Sequence, residues 1–112
     1  MELSSEDTAQ ARIITVHADR IDAAGAIEFK EKMRSAVDEG PERVVLDLTS
    51  VDFIDSSGLG AIVATMKMLG QGRRLDLAGL TPLVEKVFRL TRMDTIFRLY
   101  PDRETALAVT SE

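Results

Sequence analysis

At 112 residues, with 14 Lys+Arg against 19 Asp+Glu and a formal net charge of −5, the chain has the length of one domain. Its acidic balance argues against nucleic acid or an anionic membrane as partner, and 45% hydrophobic with 29% charged residues is the composition of a folded globular protein. Zero cysteines exclude disulfides, thiolate metal sites and thiol nucleophiles, and a single histidine, His17, excludes a multi-histidine metal centre.

The first ten residues, MELSSEDTAQ, are polar, with neither the basic start nor the apolar run of a secretory signal, and point to a cytoplasmic protein. They read as loose chain, residues 1–3 being the one candidate for an additional strand. Residues 12–16 (R-I-I-T-V) are β-branched and predict a strand. Asp22 then stands at a helix N-cap position, and Ala26, Phe29, Met33, Ala36 and Val37 recur at helical spacing until Gly40-Pro41 stops the helix, the glycine taking the left-handed cap. Residues 44–48 (V-V-L-D-L) read as a central strand covered on both faces.

A turn-rich stretch, residues 49–58, leads to a second helix. Leu59, Ile62, Val63, Met66 and Leu69 line its apolar face, and Gly70-Gln71-Gly72 ends it. Residues 75–78 predict a strand. Thr81-Pro82 opens a third helix, Thr81 as cap and Pro82 at the first helical position, with Leu83, Val84, Val87, Phe88 and Leu90 as its buried stripe. Residues 96–99 predict a last strand, and Pro101-Asp102 starts a final helix through Val109, leaving residues 110–112 as loose chain. This βαβαβαβα order predicts an α/β fold with parallel neighbours joined by right-handed crossovers.

Enzyme templates fail one by one. No Lys follows a Gly at P-loop spacing. Gly58-Leu59-Gly60 begins a dinucleotide fingerprint, but Val63 occupies the third glycine position. Ile54-Asp55-Ser56-Ser57-Gly58 is not the Gly-x-Ser-x-Gly of a hydrolase elbow. His17, the only candidate base, lies on a strand and reads as structural. Asp47 and Asp52, near the Asp55 loop, are the residue type that holds a hard cation, although an acceptor-rich turn is the commoner use of such a pattern.

One segment stands out: Asp55-Ser56-Ser57-Gly58-Leu59-Gly60, after a central strand and at the start of an apolar helix. A capping cluster explains part of it, since Asp or Ser accepts from free amides. Yet two hydroxyls and two glycines exceed what one cap needs, and each glycine costs up to about 1 kcal/mol in a helical turn. Small residues there let another molecule approach the backbone. A hydroxyl at a helix N-terminus is also a suitable phosphorylation point, because the added charge of about −1.5 to −2 faces the positive end of the helix dipole.

At these residues the sequence resembles a STAS domain, the family of sulphate transporters and anti-sigma-factor antagonists, and in particular the small bacterial antagonists. Residues 44–60, ending in Asp-Ser-Ser-Gly-Leu-Gly, carry the likeness; Ile21-Asp22, Gly79-Leu80-Thr81-Pro82 and Tyr100-Pro101 agree with it. The resemblance covers about residues 10–110 of a single domain and implies a mixed four- to five-stranded sheet with four helices packed on it. It further implies that Ser56 is phosphorylated, with Ser57 the second candidate. Asp22 matches the family's loop aspartate that contacts the partner kinase.

By the same resemblance, the unphosphorylated chain binds an anti-sigma factor that is also a GHKL-type serine kinase and so frees a sigma factor. Phosphorylation dissolves that complex and a PP2C-type phosphatase restores it. The chain is then a monomeric substrate and binding module, not an enzyme; it needs no cofactor, and ATP belongs to the kinase. Asp22, Asp55, Ser56, Ser57, Gly58, Leu59 and Gly60 form the expected partner site, with apolar contact from residues 59–63 and 80–84. Where the family usually has glycine, three residues before the loop aspartate, this chain has Asp19. Two other readings remain open: a structural or adaptor STAS subunit of a transport or stress-signalling complex, and a small-molecule carrier using residues 55–60 as an anion cradle.

Overall fold

The alternation of apolar runs and amphipathic stretches does give an α/β fold. A computed structural model describes residues 1–108, so Val109, expected to end the last helix, and the expected loose residues 110–112 lie outside the described residues. In chain order the elements are β1 (Glu2–Asp7), β2 (Arg12–His17), β3 (Arg20–Ile21), α1 (Ala23–Val37), β4 (Arg43–Asp47), β5 (Phe53–Ile54) and α2 (Ser56–Leu69). Then come β6 (Arg74–Ala78), α3 (Pro82–Leu90), a 3-10 turn (Met93–Thr95), β7 (Leu99–Tyr100) and α4 (Arg103–Ala108).

Five strands form a mixed sheet in the order β1-β2-β4-β6-β7, with β1 antiparallel to β2 and the remaining pairs parallel. One face of the sheet, with Ile14, Val16, Val44, Leu46, Leu75 and Leu77, is buried under Phe29 and Met33 of α1, Ile62 of α2 and Phe88 of α3. The other face, with Ile13, Val45 and Ala78, is covered by α4 through Ala106. As a central strand must be, β4 is buried along its whole length.

Several expectations need correction. The first ten residues are not loose: β1 runs in register from Glu2 opposite His17 to Asp7 opposite Arg12. An edge strand needs no apolar alternation to pair, and only Leu3 packs on the core. Gly40 does not cap α1 as expected. Glu39 takes the left-handed conformation (φ 51°), and a Cβ on Gly40 would meet the Arg12 guanidinium at 2.8 Å. Arg12 closes that helix end, donating to the carbonyls of Ala36 and Glu39, both at 2.9 Å.

The remaining corrections concern the α3 region. Thr81 makes no cap bond; its hydroxyl donates to the Val51 carbonyl at 2.9 Å, while Pro82 begins α3 as expected. The buried stripe of α3 narrows to Val84 and Phe88, leaving Leu83 and Leu90 exposed and Val87 half-buried. Residues 96–99 are not a strand throughout: Ile96 is exposed, Phe97 turns inward edge-on to Phe88 (6.2 Å, 72°), and β7 is only Leu99–Tyr100. The first half of the run places one inward phenylalanine, and pairing with β6 begins only at Arg98 and Leu99.

Candidate functional site

Parallel strands deliver their carboxyl ends to one edge, where the chain repeats a short device. Ile21-Asp22 and Ile54-Asp55 are each the end of a two-residue strand followed by a helix N-cap, and β3 pairs with β5 in parallel, Ile21 opposite Ile54. The Asp19 carbonyl accepts from the amides of Asp52 (2.8 Å) and Phe53 (3.3 Å) and ties the two turns together. Helices α1 and α2 therefore begin side by side. Neither strand is long enough to show a period of two, which is why the sequence pattern misses both.

The two caps differ. Asp22 Oδ1 accepts from the Gly25 amide at 3.3 Å, within its own helix. Asp55 Oδ1 accepts from the Gly58 amide at 2.9 Å and Oδ2 from the Ala23 amide at 3.2 Å, so one carboxylate spans the N-termini of both helices. The amide of Ala23 is a partner that sequence spacing does not suggest, since it lies far away in the chain. Arg20 pairs with Asp22 at 3.6 Å and lies over the Phe53 ring at 4.9 Å.

Ser56 and Ser57 occupy the first two positions of α2, both exposed, and neither hydroxyl has a hydrogen-bond partner among the described residues. The capping is done by Asp55, which leaves both hydroxyls free. The glycines separate in role. A Cβ on Gly58 would collide with the Ile21 carbonyl oxygen and meet Ile54 Cγ1 at 2.7 Å, so Gly58 is demanded by the fold. A Cβ on Gly60 would have no neighbour within 4 Å, so that position faces open space. Leu59 is half-buried, its amide bonded to the Asp55 carbonyl at 2.9 Å.

The apolar face of α2 is also rotated from the expected one: Ala61, Ile62, Thr65 and Leu69 are buried, whereas Leu59, Val63 and Met66 are half-buried. Asp19 fits without glycine, because among the described non-glycine residues only Glu39 and Arg92 have positive φ. Its side chain is exposed, as is that of Asp52.

Asp47 and Asp52 do not converge as a cation site. Asp47 Oδ1 takes the Thr49 amide (2.9 Å) and hydroxyl, and Oδ2 takes Arg103 Nε (2.9 Å) and Nη2 (2.7 Å). Burial pushes its carboxyl up, but the bonds from Thr49 and Arg103 outweigh this and hold it below the ordinary range. His17 sits on the exposed outer face, its Nε2 at 2.8 Å from the Ser4 hydroxyl. Among the described residues no three His, Asp or Glu side chains group to hold a metal, and no helix is long and apolar enough to cross a membrane.

Residues 3–106 match the family model described as STAS domain. The chain is 36% identical over 89 residues to BtrV of Bordetella bronchiseptica, described as a candidate anti-sigma factor antagonist, covering 79% of this chain and 77% of that one. It is 29% identical over 87 residues to the anti-sigma-F factor antagonist RsfB of Mycobacterium tuberculosis, covering 78% and 71%. Among solved structures, an anti-sigma factor antagonist from Mycobacterium paratuberculosis superposes with a TM-score of 0.83 at 27% identity, over 96% of this chain and 94% of that chain. The unphosphorylated form of the antagonist SpoIIAA shares the fold, with a TM-score of 0.71 at 22% identity over 92% and 91%.

Proposed function

The chain belongs to the STAS-domain family, and from that membership we propose that it is an anti-sigma factor antagonist whose state is set by phosphorylation of Ser56. The choice of Ser56 over Ser57 follows the family resemblance, in which the acceptor directly follows the aspartate. What supports an acceptor here is an exposed, unbonded hydroxyl at the start of α2, in a turn whose capping is already complete through Asp55. Ser57 is the second acceptor candidate. The partner is an anti-sigma factor with GHKL-type serine kinase activity, and a PP2C-type phosphatase resets the switch.

In the forward step the Ser56 hydroxyl oxygen attacks the γ-phosphorus of ATP held by the partner; the bond to ADP breaks and the serine proton leaves to the kinase side. The new dianion faces the positive end of α2, so the fold tolerates it. A partner surface that had packed against a neutral hydroxyl meets about two negative charges instead, and the complex dissolves. Asp22 helps dock the kinase, Asp55 and Gly58 hold the loop, and Leu59, Gly60 and the neighbouring residues 59–63 and 80–84 supply contact area. The free chain acts as a cytoplasmic monomer.

The test is a paired capture from the host lysate with ADP present, using wild type and Ser56→Glu as baits. A GHKL-type kinase retained by wild type and lost from Ser56→Glu is the expected result. Recovery of the same membrane or scaffold subunit by both baits would instead establish a non-switching adaptor, and a nucleotide or phosphate titrating residues 55–60 directly would establish the carrier.

A further inference from the structure

Of the large apolar side chains left exposed among the described residues, Ile27 and Phe53 lie apart, whereas Leu83, Leu90 and Ile96 fall in one segment. Leu83 and Leu90 lie seven residues apart on α3, with half-buried Val87 between them, and Ile96 follows the 3-10 turn; Leu90 is 73% exposed and Ile96 48%. Residues at this spacing share one helix stripe, and it borders the buried stripe of Val84 and Phe88. Leu83 falls within the residues 80–84 assigned above to the Ser56 partner, and Leu90 lies roughly 10 Å further along α3.

The charges around this stripe run against those of the whole chain. Four cations lie in and after α3: Lys86, Arg89, Arg92 and Arg98. The two carboxylates of the same segment are both held by Arg89, Glu85 at 2.7 Å and Asp94 at 3.3 Å. Lys86, Arg92 and Arg98 are exposed and have no ion pair among the described residues. Arg92 moreover takes the left-handed conformation (φ 64°) just beyond the helix end, where glycine or asparagine is the favoured residue. The fold thus keeps a cation at a position where backbone energetics favour another residue type.

We propose that Val87 and Leu90 of α3, with Ile96 and the unpaired Lys86, Arg92 and Arg98, form a second docking surface, for an amphipathic helix of a partner protein with acidic flanks. The spacing suits helix-on-helix pairing, and the unpaired cations select the acidic flanks. A second copy of this chain docking by the same patch would set like cations against each other. An anionic lipid surface would repel a chain of net charge −5. The surface operates independently of Ser56.

A photo-crosslinking residue at Ile96, expressed in the native host, tests this through the sequence of the crosslinked peptide. The expected adduct is a segment with apolar residues at helical spacing and excess Asp and Glu. Its yield falls about tenfold in Leu90→Asp and in the double variant Lys86→Glu/Arg98→Glu, and is unchanged in Ser56→Glu. Leu90, Lys86 and Arg98 are exposed, and circular dichroism of each variant verifies the fold. An adduct to this chain itself, to lipid or to a segment without acidic flanks overturns the proposal. So do yields that ignore the Leu90 and charge variants, yields lost with Ser56→Glu, and no adduct above the non-irradiated control.

Discussion

Two carboxylates are held in opposite ways, one on the five-stranded sheet and one beside the separate pair β3–β5. On the α4 side, Asp76 is buried and takes Arg43 Nε at 2.7 Å and Arg74 at 3.2 Å, while Arg43 also donates to the Ala106 carbonyl at 2.6 Å and lies over the Tyr100 ring at 5.5 Å. At the α1–α2 edge, Asp55 is held by backbone amides alone, and no cation among the described residues neutralises it. The first system anchors a short helix through ion pairs whose partners are mutually dependent. The second uses backbone donors, which leaves adjacent side chains free to meet another molecule. Stability and recognition are therefore separable by mutation.

The comparison is broken most sharply at Asp76. Replacing it with Ala leaves Arg43 buried and uncompensated, and is expected to cost about 3–5 kcal/mol in urea unfolding. The pair Arg43→Met/Asp76→Leu is expected to recover most of that loss; equal destabilisation by single and double variants would show that the ion pair itself is the anchor. Next comes Gly58→Ala, whose Cβ strikes the Ile21 carbonyl. It is expected to cost about 1–3 kcal/mol, whereas Gly60→Ala, meeting nothing, is expected to stabilise by about 0.5–1 kcal/mol. Thermal melts of the two variants moving in the same direction would contradict this division.

Asp55→Ala removes acceptors from two helix starts and Asp22→Ala from one, so both lose about 0.5–2 kcal/mol, with Asp55 the larger. Amide exchange should quicken at Ala23 in Asp55→Ala but not in a variant confined to α2. Asp47 sharpens the comparison through pH. Its folded carboxyl titrates below the unfolded value near 3.8, so its contribution is present above that pH and is lost as pH falls through the lower, folded value. Arg103→Met is expected to move the acid-unfolding midpoint upward, read by circular dichroism. The smallest stability change belongs to Ser56→Glu, within about 0.5 kcal/mol of wild type, although it is expected to abolish kinase binding.

How much of this was legible can be argued residue by residue. The long amphipathic helices announce themselves because many positions report the same period, as Ala26, Phe29, Met33 and Val37 do in α1. Asp22 was legible as a cap and the Asp-Ser-Ser-Gly-Leu-Gly run as a capping cluster and candidate site; that Asp55 rather than a serine does the capping was not legible. The exposure of Leu83 and Leu90 was not, because apolar spacing marks a helix face without saying where its cover ends. Nor was β1, whose polar residues pair through the backbone and leave no hydrophobic signature.

From its sequence alone this protein is an α/β chain with a serine-bearing helix start, since local periodicity and capping chemistry act over a few residues. Tertiary structure alone decided that Asp55 reaches the Ala23 amide, that Gly58 is internal while Gly60 is open, that Arg12 closes the end of α1 and that Arg43 reaches the Ala106 carbonyl of α4. Each of these depends on which segments the sheet brings side by side, and contacts between residues remote in the chain leave no mark in local pattern.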